Sequence, residues 1–274
     1  MPRSQIPYPL RATGAFLALL LLAACGRGGD WREAHADAPK DPPSSGYVRP
    51  PQITSAARAA DGGTVLSGQS QADVRLRLAS PDGGSYGATA DDDGRWSVTL
   101  PGETGVRLFG LSEEIGGRVV QGEGYVAVLP PPGRPAVLLR AGGGAAPLDD
   151  SQVLQIAAVD FDGGGSGVVS GAARPGAALR VAIDGAAAGE THASPQGRYA
   201  TPISGTIKPG GHQVEVQSGA GAAQAAITLA APPARITGLP YRAQRLAGAW
   251  RVDWLTPGGG PQTTLVLDPP EATP

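Results

Sequence analysis

The sequence predicts an all-β fold, made of two tandem antiparallel β-sandwiches followed by a C-terminal β-hairpin. Glycine accounts for 42 and proline for 27 of the 274 residues, a composition that disfavours long helices. Beyond the first 24 residues, no stretch keeps an apolar stripe at helical spacing. Instead, short alternating segments recur between turn residues, and the whole arrangement occurs twice. Regularly spaced short strands of this kind are typical of sandwiches.

The duplication is an internal repeat with a shift of 103 positions. Without a gap, Ser67-Gly68 aligns with Ser170-Gly171, and Gly94-Arg95-Trp96 aligns with Gly197-Arg198-Tyr199. A gapless match that extends over about thirty positions indicates two copies of one structural unit.

Each copy alternates apolar and polar residues, as half-buried strands do. In the first copy, Trp96, Val98 and Leu100 alternate after the turn Asp92-Asp93-Gly94, whose Asp-Gly pair suits a tight hairpin. Tyr199 takes the place of Trp96 in the second copy. We therefore predict that Trp96 and Tyr199 are equivalent inward-facing residues, each in the core of its own sandwich.

Both copies resemble the bacterial Ig-like domains of envelope and cell-surface proteins. The resemblance rests on Gly171-Ala172-Ala173-Arg174-Pro175-Gly176-Ala177, which precedes an alternating strand, and on the hairpin Asp91-Asp92-Asp93-Gly94-Arg95-Trp96. The first copy departs from the opening motif, with Gln71-Ala72-Asp73 for Pro-Gly-Ala, and the second has Ser194 and Tyr199 for Asp and Trp. The resemblance implies Ig-like sandwiches at 52–141 and 151–231, and these motifs specify a fold rather than an activity.

The N-terminus predicts a lipoprotein signal peptide over residues 1–24. Arg3 and Arg11 precede an apolar stretch that ends at Cys25 and is too short to span a bilayer comfortably. The quartet Leu22-Ala23-Ala24-Cys25 resembles the bacterial lipobox, which implies that the Cys25 sulfur carries diacylglycerol and that further acylation, such as palmitate, follows. An ordinary signal peptide with an incidental cysteine is the alternative.

Residues 25–51 are expected to form a flexible linker between the membrane and the first sandwich, because they are rich in glycine, proline and aspartate. Gly26 follows the cysteine where an aspartate would retain an enteric lipoprotein in the inner membrane. The expected location is therefore the outer membrane, on its periplasmic or surface face. Without the signal peptide, 20 basic and 24 acidic residues remain, so no basic field suggests a nucleic-acid partner.

No motif predicts catalysis or a cofactor. Gly83-Gly84-Ser85-Tyr86-Gly87 matches a hydrolase elbow, but it lies between two short strands, and that elbow needs a helix after the serine. The acidic runs Asp91-Asp92-Asp93 and Asp160-Phe161-Asp162-Gly163 offer oxygen ligands for calcium, with Asp91, Asp93, Asp160 and Asp162 as candidate ligands. Neither run supplies the remaining ligands, and turn aspartates are the favoured interpretation. Histidine and cysteine spacing gives no zinc site.

The C-terminal segment 235–268 predicts a β-hairpin. Trp250, Val252 and Trp254 share one face of its first strand, and Gln262–Leu267 alternates again as the returning strand. A lone hairpin is marginal in water, so it is expected to dock on the second sandwich. The alternative is that Trp250 and Trp254 stay exposed as an aromatic platform for a ligand.

Taken together, these features predict a noncatalytic, lipid-anchored module of the cell envelope that binds a protein or a glycan. The alternative from a different class is a noncatalytic accessory subunit of an envelope enzyme or export machine, in which the sandwiches act as spacers.

Overall fold

The computed structural model describes residues 48–270, and the predicted signal peptide, Cys25 and most of the predicted linker lie outside these residues. The described part is built from β-strands and turns, without a helix. Accordingly, it has no helix with the length and hydropathy needed to cross a membrane.

Ten strands belong to the first repeat and the segment that follows it. They are β1 (Gln52–Arg58), β2 (Thr64–Gln69), β3 (Arg75–Ala79), β4 (Ser85–Thr89), β5 (Arg95–Leu100), β6 (Arg107–Ile115), β7 (Arg118–Gln121), β8 (Tyr125–Val128), β9 (Ala136–Leu139) and β10 (Ala146–Pro147). Ten more belong to the second repeat and the C-terminal segment. They are β11 (Gln155–Phe161), β12 (Gly167–Ala172), β13 (Ala178–Ile183), β14 (Ala186–His192), β15 (Arg198–Pro202), β16 (Gly210–Ser218), β17 (Gly221–Leu229), β18 (Tyr241–Leu246), β19 (Ala249–Leu255) and β20 (Pro261–Leu267).

These strands form two antiparallel β-sandwiches, as predicted. In the first, the sheet β1-β2-β5 faces the sheet β10-β9-β8-β6-β3-β4, in which β7 also pairs with β6. In the second, the sheet β15-β12-β11-β20-β19-β18 faces the sheet β14-β13-β16-β17. The fold is therefore all-β, and each sandwich encloses its own apolar core.

The repeat inferred from the sequence is present strand by strand. β1, β2, β3 and β6 recur 103 positions later as β11, β12, β13 and β16. Even a local irregularity recurs, because a bulge between Ile53 and Ser55 in β1 reappears between Ile156 and Ala158 in β11.

Trp96 and Tyr199 are equivalent core residues, which confirms the prediction. Each is 4% exposed, and they belong to separate cores. In both sandwiches the ring crosses a glycine of the neighbouring strand. A Cβ on Gly68 would lie 2.5 Å from the Trp96 ring, and one on Gly171 would lie 2.7 Å from the Tyr199 hydroxyl. The aligned glycines therefore make room for the aligned rings.

The two repeats diverge after their sixth strand. The second continues in one nine-residue strand, β17, whereas the first is interrupted at Gly122-Glu123-Gly124 and gives β7 and β8. The chain then adds β9 beside β8 in the first sandwich. In the second it crosses to the opposite sheet and forms β18, β19 and β20.

The predicted C-terminal hairpin is present as β19 and β20, and β18 adds a third strand to it. β20 pairs with β11 between Ala158↔Val266 and Phe161↔Thr263. The hairpin thus docks on the second sandwich by extending one of its sheets, which covers the edge of β11.

A third apolar core, which the sequence did not predict, joins the two sandwiches. It lies between the outer face of β6, β8 and β9 and the outer face of β11, β19 and β20. The first sandwich and its following segment contribute Val106, Leu108, Ala127, Leu129, Val137, Leu139 and Ala145, and the second contributes Ala158, Tyr241, Val252, Trp254 and Val266. The two sandwiches are therefore packed against each other rather than joined by a linker alone.

Glu113 interrupts the first core, and its replacement by valine is expected to stabilise the protein. It is 2% exposed, neither carboxyl oxygen has a hydrogen bond of ordinary geometry, and the aligned residue of the second repeat is the buried Val216. Burial raises the pKa of Glu113, opposed only in part by the backbone of Gln71. Glu113→Val should raise the free energy of unfolding by about 1–3 kcal/mol near pH 8, because it removes an unpaired buried carboxylate.

Because the pKa of Glu113 is raised, the stabilisation by Glu113→Val should depend on pH. With a raised pKa in the folded state, ionised Glu113 lowers the free energy of unfolding most above that pKa. The effect vanishes below the pKa of the unfolded chain, ordinarily 4.5. The stabilisation by Glu113→Val should therefore shrink as the pH falls towards 4 in urea unfolding experiments. Glu114→Val, at the exposed neighbouring position, is the control. A gain for Glu113→Val that does not depend on pH would contradict the explanation.

Candidate functional site

The structure does not form the exposed tryptophan platform that was the alternative to docking of the hairpin. Trp254 is fully buried, its Nε1 donates to Thr264 Oγ1 at 3.1 Å, and its ring meets the Tyr125 ring edge-on at 6.0 Å between centroids. Trp250 is half-buried beside the same cluster, with the Arg245 guanidinium 5.7 Å from its ring. The alternation correctly placed both rings on one face. That face is covered by the first sandwich, which the hairpin sequence alone does not reveal.

Asp160 and Asp162 do not form the calcium site considered from the sequence. Asp160 is buried, and its oxygens accept hydrogen bonds from the backbone N–H of Ala145 at 2.7 Å, Gln262 Nε2 at 2.9 Å and Thr264 Oγ1 at 2.5 Å. Burial raises the pKa of Asp160, and these three donors oppose the rise. Because protein donors occupy its oxygens, Asp160 connects Ala145, the residue before β10, to Gln262 and Thr264 of β20 rather than binding an ion.

Asp162 has a separate, local role at the end of β11. Its Oδ1 accepts the backbone N–H groups of Gly164 at 2.8 Å and Ser166 at 3.0 Å, which closes the turn to β12. Aspartate is common in tight turns because its side chain can accept hydrogen bonds from nearby backbone N–H groups in this way.

The exposed cluster of Asp91, Asp92 and Asp93 also has a structural explanation. Asp91 Oδ1 accepts the backbone N–H groups of Asp93 at 3.0 Å and Arg95 at 2.7 Å. Ser194 Oγ makes the same pair of bonds, 103 positions later, in the second repeat. A serine that replaces the aspartate indicates that the position is selected for turn geometry, and Asp93 itself pairs with Arg95.

Ser85 of the Gly-x-Ser-x-Gly match is a strand residue at the start of β4. Its Oγ accepts a hydrogen bond from Arg77 Nε at 2.9 Å. The first sandwich, as described, contains no histidine that could act as its base. The described part of the first sandwich therefore forms no Ser-His pair at this match.

His212 is the histidine of the described residues with a structured environment. Its Nδ1 lies 2.7 Å from Asp184 Oδ2 and its Nε2 lies 2.8 Å from the carbonyl oxygen of Lys208, so both nitrogens face acceptors. The hydrogen bond with Asp184 raises the pKa of His212, and the Lys208 carbonyl adds to this. The arrangement therefore favours the imidazolium and ties β16 to the turn after β13.

Replacing His212 with glutamine is expected to lower the melting temperature more at pH 5.5 than at pH 9. Because the pKa is raised in the folded state, the stabilisation is complete below the unfolded value near 6.5 and is lost as the pH rises through the folded value. Thermal unfolding across this range measures the difference, with the exposed His192→Gln as the control. Equal losses for His212→Gln at both pH values would refute the assignment.

The feature of the molecule that most resembles a binding site lies in the second sandwich, beside the free edge of β17. β17 pairs with β16 on one side only, and next to its other side is a groove of about 750 Å³, which we call the β17 groove. Its walls are β17 itself, the segment before β11, and the inner faces of β18, β19 and β20. The apolar residues of these walls include Val153, Ala225, Leu246, Ala249, Leu265 and Leu267.

The groove exists because the two sheets of the second sandwich differ in width. β17 lies opposite β11 across the core, yet the sheet of β11 continues through β20, β19 and β18. These three strands have no facing strand in the described residues. Leu246 and Leu267 are only partly buried, and Val153 at the groove is 67% exposed, so apolar surface is left open.

A polar network secures the strands behind the groove. Arg251 Nη2 donates to the Ala231 carbonyl oxygen at 2.9 Å, and Asp253 accepts from Arg251, Arg242 and Thr263. Burial alone would raise the pKa of Asp253, but the hydrogen bonds outweigh it and hold the pKa below its ordinary value. The connection from β17 to β18 is thereby fixed to the sheet, and the groove has a rigid wall.

The edge of β17 lacks the features that usually prevent pairing with another chain. Its nine residues, Gly221–Leu229, include no charged residue and no proline. By contrast, the outer strand β18 carries Arg242 and Arg245, and the outer strand β14 carries Glu190. Long uncharged edges are uncommon in natural sheets because they attract further strands. The absence of charge in Gly221–Leu229 is the sequence signal that could have drawn attention to this site.

No protein-family model matches the chain. No curated protein matches it either. Among solved structures, it is similar to the central fibronectin-III array of RIM-binding protein, at 12% identity and a TM-score of 0.26, over 78% of this chain and 82% of that one. It is also similar to invasin, a bacterial integrin-binding protein, at 13% identity and a TM-score of 0.22, over 80% of this chain and 54% of that one. Likenesses at this level carry no functional argument.

Proposed function

We propose that this protein is a lipid-anchored, noncatalytic interaction module of the bacterial cell envelope that binds a partner protein in the β17 groove. The observation that carries the proposal is the open apolar groove beside an unprotected strand edge. A free backbone edge presents N–H and C=O groups that pair with another backbone, so it favours a protein over a glycan. The rings suited to stacking on a sugar, Trp250 and Trp254, face the first sandwich instead.

The lipid anchor is part of the same proposal. The lipobox-like quartet that ends at Cys25, the short apolar stretch before it and the Gly- and Pro-rich residues after it support an acylated N-terminus on a flexible tether. Gly26 supports the outer membrane as its location. Tethering would hold the groove close to the membrane while allowing it to reach partners nearby.

Partner binding is tested by affinity capture with full-length protein from detergent-solubilised membranes of the native organism. Two variants form a pair: Ala225→Lys places a charge on the inner face of β17, and Gln213→Lys places the same charge on the exposed outer face of β16, away from the groove. A stoichiometric partner should be retained by wild type and Gln213→Lys and lost with Ala225→Lys. Retention by all three proteins would contradict binding in the groove.

Anchoring is tested separately by Cys25→Ser. Wild-type protein should enter the detergent phase in phase-partitioning extraction and incorporate labelled palmitate, and the variant should do neither. Wild-type protein found in the aqueous phase with a free Cys25 thiol would overturn the anchor.

The third core favours a second candidate, a spacer subunit of an envelope enzyme or export machine. A spacer must hold its two ends at a fixed separation, and packing between the sandwiches supplies that rigidity. A stoichiometric partner captured equally by wild type and Ala225→Lys would support this candidate over the first.

A further inference from the structure

We propose that the β17 groove accepts one extended segment of a partner protein as an added antiparallel β-strand, with apolar residues facing into the groove and polar residues facing out. This inference rests on the proposed function and specifies the kind of ligand. Its evidence is the comparison of the two repeats, because the chain itself fills the same place in the first sandwich.

In the first sandwich, β9 occupies the edge of β8, the strand equivalent to the second half of β17, Ala226–Leu229. Phe109 pairs with Val126 in the first repeat, and His212, 103 positions after Phe109, pairs with Ile227 in the second. Val126 and Ile227 are therefore equivalent positions. Val126 pairs on its other side with Leu138 of β9 in an antiparallel ladder, whereas Ile227 has no such neighbour because the chain crosses to the opposite sheet.

The strand β9 shows what such an occupant needs. Ala136 and Leu138 face the first core, at positions beside Val128 and Val126. In the second sandwich the corresponding inner positions face Leu265, Leu267 and the other apolar residues of the open sheet. The inward side chains of an occupant should therefore be apolar.

The outward side chains of an occupant meet a different environment. β9 turns Val137 and Leu139 towards the third core. The outer face of β17 is exposed, with Gln224, Ala226 and Thr228 on its surface. Polar residues can therefore alternate with apolar ones in the bound segment, which is the pattern of an ordinary edge strand.

A second copy of this chain does not fit the same edge. Antiparallel pairing of two β17 strands creates a twofold axis perpendicular to the sheet. In both copies, the sheet that contains β11, β20, β19 and β18 would then lie on the same side of the paired β17 strands. Each copy extends that layer by β20, β19 and β18 beyond the position of β17, roughly 14 Å at about 4.8 Å per strand. The two extensions would occupy the same space. A single added strand extends only the sheet of β17. It then packs on the part of the facing sheet that β20, β19 and β18 form.

The inference is tested with full-length protein in detergent and a capped, fluorescent nine-residue peptide that alternates valine with threonine, to match the nine residues of β17. Fluorescence anisotropy measures binding, and hydrogen exchange measures protection of the β17 amides. Wild type and Gln213→Lys should bind equally, and Ala225→Lys should bind at least about tenfold more weakly. A peptide with proline at its centre should not bind, because it cannot complete the ladder. If Ala225→Lys does not fold, Val153→Asp at the exposed rim replaces it.

Several outcomes would overturn the inference. Absence of peptide binding, while a natural partner is still lost with Ala225→Lys, would leave the proposed function intact and reject strand addition. Equal binding of the proline peptide would also reject it. Dimerisation abolished by Ala225→Lys in sedimentation would identify a second copy as the occupant. Peptide binding that appears only after deletion of residues 26–47 would identify a segment of the chain itself.

Discussion

Replacing Trp254 with alanine is expected to lower the free energy of unfolding by about 3–5 kcal/mol, the cost of removing a large buried aromatic ring. The ring is fully buried in the third core and its Nε1–H is satisfied by Thr264. The cavity would open between the two sandwiches and not within either core. We therefore expect unfolding to change from one cooperative transition to two, since each sandwich keeps its own core.

Urea unfolding followed by circular dichroism, together with calorimetry, measures both effects. Trp250→Ala is the matched control, because Trp250 lies on the same face of β19 but is only half-buried. It should cost clearly less and preserve a single transition. A loss below about 1 kcal/mol for Trp254→Ala would show that the third core contributes little to stability.

The sequence predicted the sandwich strands well because they carry two independent signals. Alternation identified faces such as that of Trp96, Val98 and Leu100, and the repeat required the same elements 103 positions later. Together these two signals place Trp96 and Tyr199 in two separate cores. A position supported by both signals has few alternative placements, since a slip of one residue would turn every side chain to the opposite face.

The sequence was less informative where the repeats diverge. Ala136–Leu139 and Tyr241–Leu246 both follow the end of a repeat and both form strands, yet they join opposite sheets. Local propensity decides that a segment is extended, but tertiary packing decides which edge it joins. The β17 groove results from that difference in path, so the pattern of β17 alone could not have placed it.

The interpretation of Asp160 as a turn residue was wrong for a related reason, whereas Asp162 and Asp91 do accept hydrogen bonds within turns. Asp160 and Asp162 are close in the sequence, and this proximity suggests a common role in a turn or an ion site. In the fold, the three donors to Asp160 come from Ala145, Gln262 and Thr264, the last two more than a hundred positions away. Long-range partners of this kind leave no local pattern.

Arg134 is another buried polar residue whose role depends on long-range partners. It lies between β8 and β9, and its side chain has no solvent exposure. Its Nε donates to the Leu267 carbonyl oxygen at 3.0 Å, its Nη2 donates to Gln155 Oε1 at 2.6 Å, and its Nη1 pairs with Asp149. One guanidinium thus connects the first sandwich to Asp149, between β10 and β11, and to the strands β11 and β20.

Arg134→Met is expected to lower the free energy of unfolding by about 3–5 kcal/mol, because it leaves Asp149 without its cation and Gln155 without its donor in a buried site. Chemical denaturation measures the loss, and Arg140→Met, which removes a half-buried guanidinium bonded only to neighbouring carbonyls, should cost much less. Adding Asp149→Asn to Arg134→Met should recover part of the loss, since it removes the unpaired charge. If the second substitution instead adds its full cost to the first, the two residues are not coupled, and the loss comes from the side-chain volume of Arg134 rather than from its charge.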